Sequence, residues 1–154
     1  MSRISWTEDL NTNIKAIDEQ HKRIVDYINQ LHDMVEAGET DQGNIARLLR
    51  QLVEYTVSHF SFEESLMENA GYTSIVPHKR IHQHFVDGVS RLSDRHNNGE
   101  DVAKELLRTL KNWLVNHIKV EDAKYVDAVA TSMDDRNKED VGWLGRALNK
   151  FFVN

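Results

Sequence analysis

The 154-residue chain carries 19 Lys+Arg against 25 Asp+Glu, a formal net charge of -6, which argues against the basic face of a nucleic-acid binder. Apolar residues make up 40% and charged residues 29%, a globular balance with no apolar run long enough to span a membrane as a helix. Cysteine is absent, which excludes disulfides, iron–sulfur clusters, thiolate zinc sites and a cysteine nucleophile, whereas histidine occurs eight times.

One proline and seven glycines leave few helix breaks, and apolar residues recur near the 3.6-residue period. Met1–Trp6 has neither the basic head nor the apolar stretch of a signal peptide, so a cytoplasmic location is expected. The first 17 residues read as an arm, with Trp6, Leu10, Ile14 and Ile17 free to pack on a core. Asp18 is the expected N-cap of a first helix striped by Ile24, Ile28, Leu31 and Val35 and ending near Gly38. A second helix runs from about Asp41 to Gly71 with Ile45, Leu48, Leu49, Leu52, Tyr55, Leu66 and Met67 on its apolar side.

Pro77 suits the first turn of a third helix, which presents Ile81, Phe85, Val89 and Leu92 and stops by Asn97-Asn98-Gly99. A fourth is expected from about Asp101 through Leu106, Leu110, Trp113, Leu114 and Ile118 to Ala130. After the polar stretch Asp134–Asp140 comes a short amphipathic segment bearing Trp143, Leu144, Ala147, Leu148, Phe151 and Phe152. Short connections favour antiparallel neighbours. The expected fold is an all-α, antiparallel up-down four-helix bundle with an N-terminal arm and an added short C-terminal helix. Residues 1–131 form the bundle in this reading, and 132–154 a polar linker and the amphipathic helix.

The histidines fall in register with carboxylates. His59 and Glu63 are four apart, about 40° of helix rotation, and His78 and His82 repeat that spacing. His21 shares the Ile24/Ile28 stripe, and His117 shares the stripe of Leu110, Trp113 and Leu114. Asp122 follows His117 by five residues, about 140° on a regular helix, so either the backbone is irregular there or the side chains reach around a bulky centre. Facing helices of a bundle are where core metal sites are built. Burying five imidazoles and two carboxylates without a cation would cost about 1–3 kcal/mol for each unsatisfied group. A cation is the economical solution. His32 lies about 16 Å further along its helix than His21, His84 points away from His82, and His96 sits at a helix C-terminus.

The pieces Ile17-Asp18-Glu19-Gln20-His21-Lys22, His59-Phe60-x-x-Glu63-Glu64-x-Leu66-Met67, Gly71-Tyr72, His78-x-x-x-His82-x-x-Phe85 and His117-x-x-x-x-Asp122 resemble the hemerythrin family, most closely its single-domain bacterial branch. All seven of that family's ligand positions are filled, and the likeness spans Trp6 to about Tyr125. The resemblance implies a non-haem pair of iron ions, oxo- or hydroxo-bridged, that binds O2 reversibly. Carried over by position, His78, His82 and His117 would hold one iron, His21 and His59 the other, and Glu63 and Asp122 would bridge them. Such a set leaves one open position, on the two-histidine iron, for O2.

No Glu-x-x-His repeat of the ferritin-like sites occurs here. Neutral imidazoles stabilise high-valent iron less than carboxylates do, which favours reversible binding over oxidising turnover. No enzyme activity is expected: Glu64, the one spare carboxylate, is expected to face solvent. Trp113 and Leu114 are candidates for an apolar wall of the O2 pocket, with Phe60 and Phe62 as lesser ones. The carrier reading competes with a sensor using the same centre, and with a di-iron oxidase, peroxidase or nitric-oxide handling protein. The C-terminal segment either docks on the bundle or meets a protein partner; docking is favoured, since free display of its aromatic residues invites aggregation. The acidic surface fits a monomer or a small oligomer.

Overall fold

The computed structural model describes residues 3–38, 41–136 and 150–152. The described elements are a 3-10 turn at Glu8–Leu10, α1 (Lys15–Glu36), α2 (Gln42–Ala70), α3 (Ile75–Asn97), α4 (Ala103–Asn116), a π-helical segment (His117–Asp122) and α5 (Ala123–Arg136). α4, the π segment and α5 run on as one rod, so the architecture is an all-α bundle of four long helices preceded by an arm. Helix α2 packs on α1, α3 and α5, while α1 packs on α4.

Local chemistry explains most boundaries. The Asp41 side chain accepts from the Gly43 and Asn44 amides (2.8 and 3.1 Å), capping α2. Gly71 ends α2 at φ 68°, in the left-handed region that a Cβ disfavours. The start of α1 differs from expectation. Ile14 occupies the cap position, and Asp18 lies within the first turn of the helix proper. Its carboxylate reaches back to accept from the Thr12 amide (2.8 Å), the Thr12 hydroxyl (2.8 Å) and the Asn13 amide (3.2 Å). Asp18 therefore ties the arm to the helix instead of capping it. Further out, Asn29 exchanges hydrogen bonds with the Ile4 backbone and Arg3 pairs with Asp33, so the arm lies along α1.

The core falls into two hydrophobic clusters. One gathers Ile24, Ile28, Leu31, Leu49, Leu52, Val89, Leu106, Leu110, Leu114 and Ile118; the other gathers Ile14, Ile17, Phe62, Leu66, Met67, Tyr125 and Val129. On α1, His21 stands between Ile17 and Ile24; on α2, His59 and Glu63 stand between Leu52 and Leu66; on the last rod, His117 and Asp122 stand between Leu114 and Tyr125. A polar layer thus crosses the bundle between two apolar ones.

Trp143, Leu144, Ala147 and Leu148 lie outside the described residues. Phe151 and Phe152 are described, and both pack on the second cluster. The Phe152 ring meets Tyr55 at 5.4 Å and Phe62 at 5.9 Å between centroids. Phe152 thus docks on α2, as apolar burial favours. Among the described residues, no helix is long and apolar enough to cross a membrane.

Candidate metal centre

All seven expected ligand residues are buried, with Glu63 and Asp122 at 0% exposure. Their polar atoms converge. Those of Glu63, His78, His82, His117 and Asp122 lie within 4.8 Å of one another, as do those of His21, His59 and Glu63.

The two carboxylates divide their oxygens between these groups. Glu63 turns Oε1 toward the Nε2 atoms of His59 and His21, the latter at 3.3 Å, and Oε2 toward those of His82 (3.7 Å) and His78 (3.9 Å). Asp122 turns Oδ2 toward His21 (3.1 Å) and Oδ1 toward His117 (3.1 Å) and His78 (3.4 Å). Each carboxylate therefore spans a two-imidazole side and a three-imidazole side.

That the pair His117/Asp122 converges at all depends on the backbone. Over His117–Asp122 the chain adopts π geometry, in which the i→i+5 relation replaces i→i+4 as the one-turn spacing. Of the two alternatives left open by the five-residue spacing, local irregularity is the one realised.

Protein groups alone leave this cluster unsatisfied. Glu63 Oε2, both Asp122 oxygens, His78 Nε2 and the Nδ1 atoms of His21 and His117 are buried without a hydrogen-bond partner. The Nε2 atoms of His82 and His117 face each other at 3.2 Å, an approach that needs either a shared proton or a cation between lone pairs. Burial opposes ionisation of both carboxylates, yet the facing imidazoles hold Glu63 and Asp122 well below the usual carboxylate range. Burial likewise pulls His21 down, but the Asp122 and Glu63 carboxylates that face its ring outweigh it and raise its pKa to about 9. His59, where burial dominates, is lowered. Hard carboxylate oxygens combined with imidazoles, two anions and orphaned lone pairs fit a pair of transition-metal cations.

Aromatic rings fix the imidazoles. Phe60 stacks on His82 (centroids 3.8 Å, 5° between planes) and Trp113 on His117 (4.3 Å, 13°), with Phe85 on the far face of Trp113 (3.7 Å). Leu114 is 2% exposed in the first apolar cluster, and Phe62 sits in the second beneath Phe152. Phe60 and Trp113 therefore lie on the three-histidine side.

Three further residues reach the cluster. Gln20 Oε1 accepts from His59 Nδ1 at 2.7 Å, and Glu64 Oε1 accepts from His82 Nδ1 at 3.4 Å. Glu64 does not simply face solvent, because its one-residue offset from Glu63 aims it at the outer edge of α3. The Tyr125 ring meets His78 at 5.4 Å, and its hydroxyl is buried beside Glu63. Gln20 and Tyr125 carry a sequence signal only in retrospect: each is a polar group at an inward register position. The remaining histidines stay apart. His32 accepts from Lys111 (3.1 Å), His96 donates to the Gln42 carbonyl (3.1 Å), and His84 is exposed.

Comparison with known proteins agrees with this architecture. The hemerythrin HHE cation-binding domain family matches residues 12–129. A bacteriohemerythrin of Pseudomonas aeruginosa is 49% identical over 154 residues, covering 99% of both chains. A bacteriohemerythrin of Methylococcus capsulatus is 35% identical over 127 residues, 81% of this chain and 95% of its own. A wild-type hemerythrin crystal structure superposes with a TM-score of 0.77 at 33% identity, covering 84% of this chain and 99% of that one. The buried five-histidine, two-carboxylate layer and these matches make the chain a member of the hemerythrin family, whose members bind O2 at a non-haem di-iron centre.

Proposed function

We propose that this chain binds O2 reversibly as a carrier, store or local delivery protein, with His78, His82 and His117 holding one iron and His21 and His59 the other. Glu63 and Asp122 would bridge the two. The observation that carries this reading is the division of each carboxylate's oxygens between a three-imidazole and a two-imidazole group. When bound, the iron pair supplies the redox electrons for O2 binding.

The protein's part is to place and shelter. Glu63 and Asp122 supply two negative charges that offset part of the metal charge in a layer closed off by apolar clusters above and below. The imidazoles are held by stacking and, at His59 and His82, by hydrogen bonds that put the ring proton on Nδ1 and leave Nε2 free to ligate. Leu114 and Trp113, with Phe60 and Phe62, exclude water from the layer.

The same arrangement supports binding without turnover. Glu64, the spare carboxylate beside Glu63, is engaged with His82, so it is not placed as a general base. The docking of Phe151 and Phe152 favours a tail that belongs to the bundle over one displayed to a partner. A cytoplasmic location completes the reading, and cell fractionation tests it.

The deciding experiment is iron analysis with visible spectra of the full chain, reduced anaerobically and then exposed to air. Two irons per chain and an absorption band that appears in air and vanishes under nitrogen are expected. Zinc, no metal, or a band that never reverses would overturn the reading.

A further inference from the structure

The outer nitrogens of the ligand histidines are not treated alike. His59 on the two-histidine side donates to the neutral amide of Gln20 (2.7 Å), which is buried with it. His82 on the three-histidine side instead faces a carboxylate, Glu64 Oε1 at 3.4 Å. No partner meets Nδ1 of His21 or His117. Of these two partners, one is a neutral amide and the other a carboxylate.

The Glu64 side chain is 23% exposed, and its carboxylate touches a ring that is itself 3% exposed. It lines a cleft of about 160 Å³ between α2 and α3 with Ser61, Lys79, His82 and Gln83. Lys79 does not neutralise it directly: that ammonium binds Glu68 at 2.7 Å. The Phe60 ring, stacked 3.8 Å from His82, fixes the plane in which Nδ1 meets Glu64 and Nε2 meets the buried cluster.

An anionic acceptor on Nδ1–H draws that proton outward and makes Nε2 the stronger donor, whereas an amide acceptor does so less. We infer that Glu64 is a positioning residue that, through His82, makes the three-histidine half of the centre the more electron-rich half. This rests on the di-iron reading above. Its consequence is a preference for the oxidised state on that side, and a lower reduction potential for the loaded protein.

The test compares Glu64→Gln, Glu64→Ala and Glu68→Gln in the full chain. Glu64→Gln keeps an acceptor but loses the charge. Glu68→Gln loses an equal charge one turn away, on a side chain 60% exposed and paired with Lys79. Redox titration of the iron-loaded proteins is expected to show a higher midpoint potential for Glu64→Gln and an unchanged one for Glu68→Gln. In Glu64→Ala, whose folding is checked by the helical signal of the metal-free protein, Zn(II) affinity is expected to fall about 10–100-fold. An unmoved potential in Glu64→Gln, or equal shifts in both glutamine variants, overturns the inference. Wild-type protein that takes up fewer than two irons would instead overturn the di-iron reading, and the iron assay separates these cases.

Discussion

Asp122 Oδ1 lies 3.1 Å from His117 Nε2 although the two residues are five apart on one helical rod. On a regular α-helix that spacing would turn the side chains about 140° from each other. The π segment His117–Asp122 removes the mismatch, and the rod resumes as α-helix at Ala123 with Tyr125 and Val129 facing the second cluster. The irregular backbone is thus placed where two ligands must share one side, as π segments at functional sites commonly are.

Asp122→Asn keeps the shape of this side chain and removes its charge. Helical content should survive, because the surrounding apolar clusters are untouched. Iron retention should fall at least about tenfold, since a bridging ligand is a more direct loss than an outer partner. Iron per chain after gel filtration checks this, and full retention of two irons would strike Asp122 from the ligand set.

Leu114 is 2% exposed and sits one turn before His117. Leu114→Ala should cost about 2–5 kcal/mol of stability and open space that water can enter. The oxygenated form should then decay faster to the oxidised one, followed by loss of its visible band in air. A decay rate equal to wild type would remove Leu114 from the pocket wall even if the melting temperature drops.

Metal uptake should release protons. Burial lowers the affinity of His21 for a proton, but Asp122 and Glu63 reverse this and place its pKa at about 9 in the metal-free chain. At pH 7, below that value, His21 is protonated, and it must give the proton up to ligate. Loading in weakly buffered solution should therefore release about one proton from this group, and metal affinity should weaken as pH falls. An indicator dye reads the release; uptake with no acidification would exclude His21 as a ligand.

Phe152 joins Tyr55 and Phe62 across α2 and is half-buried there. Phe152→Ala should cost about 1 kcal/mol, half or less of a fully buried side chain. For a chain of this size that lowers the melting temperature by about 2–4 °C. Truncation after Asp134 should lower it at least as far. An unshifted melting curve for the truncated protein would mean that the tail serves a partner surface instead of the bundle.

The helices and the inward register of six of the seven candidate ligands were legible in the sequence, whereas regular helical spacing turns Asp122 away from His117. Helical periodicity is a local property, and residues four apart share a face wherever the helix lies. Asp18 shows the limit of such reasoning: a capping residue is recognisable by type, but the arm decides which amides it meets, and Thr12 and Asn13 claim it. Glu64 shows another, because its angular offset from Glu63 suggested solvent, and only the position of α3 brings His82 to it.

What the sequence by itself determined is therefore the set of groups each regular helix offers inward: His21; His59 and Glu63; His78 and His82; and His117. What only the tertiary structure decided is which oxygen faces which imidazole, which outer nitrogens find Gln20 and Glu64, and that His117–Asp122 winds as a π segment. Those outcomes depend on distances between helices, which no single helix contains.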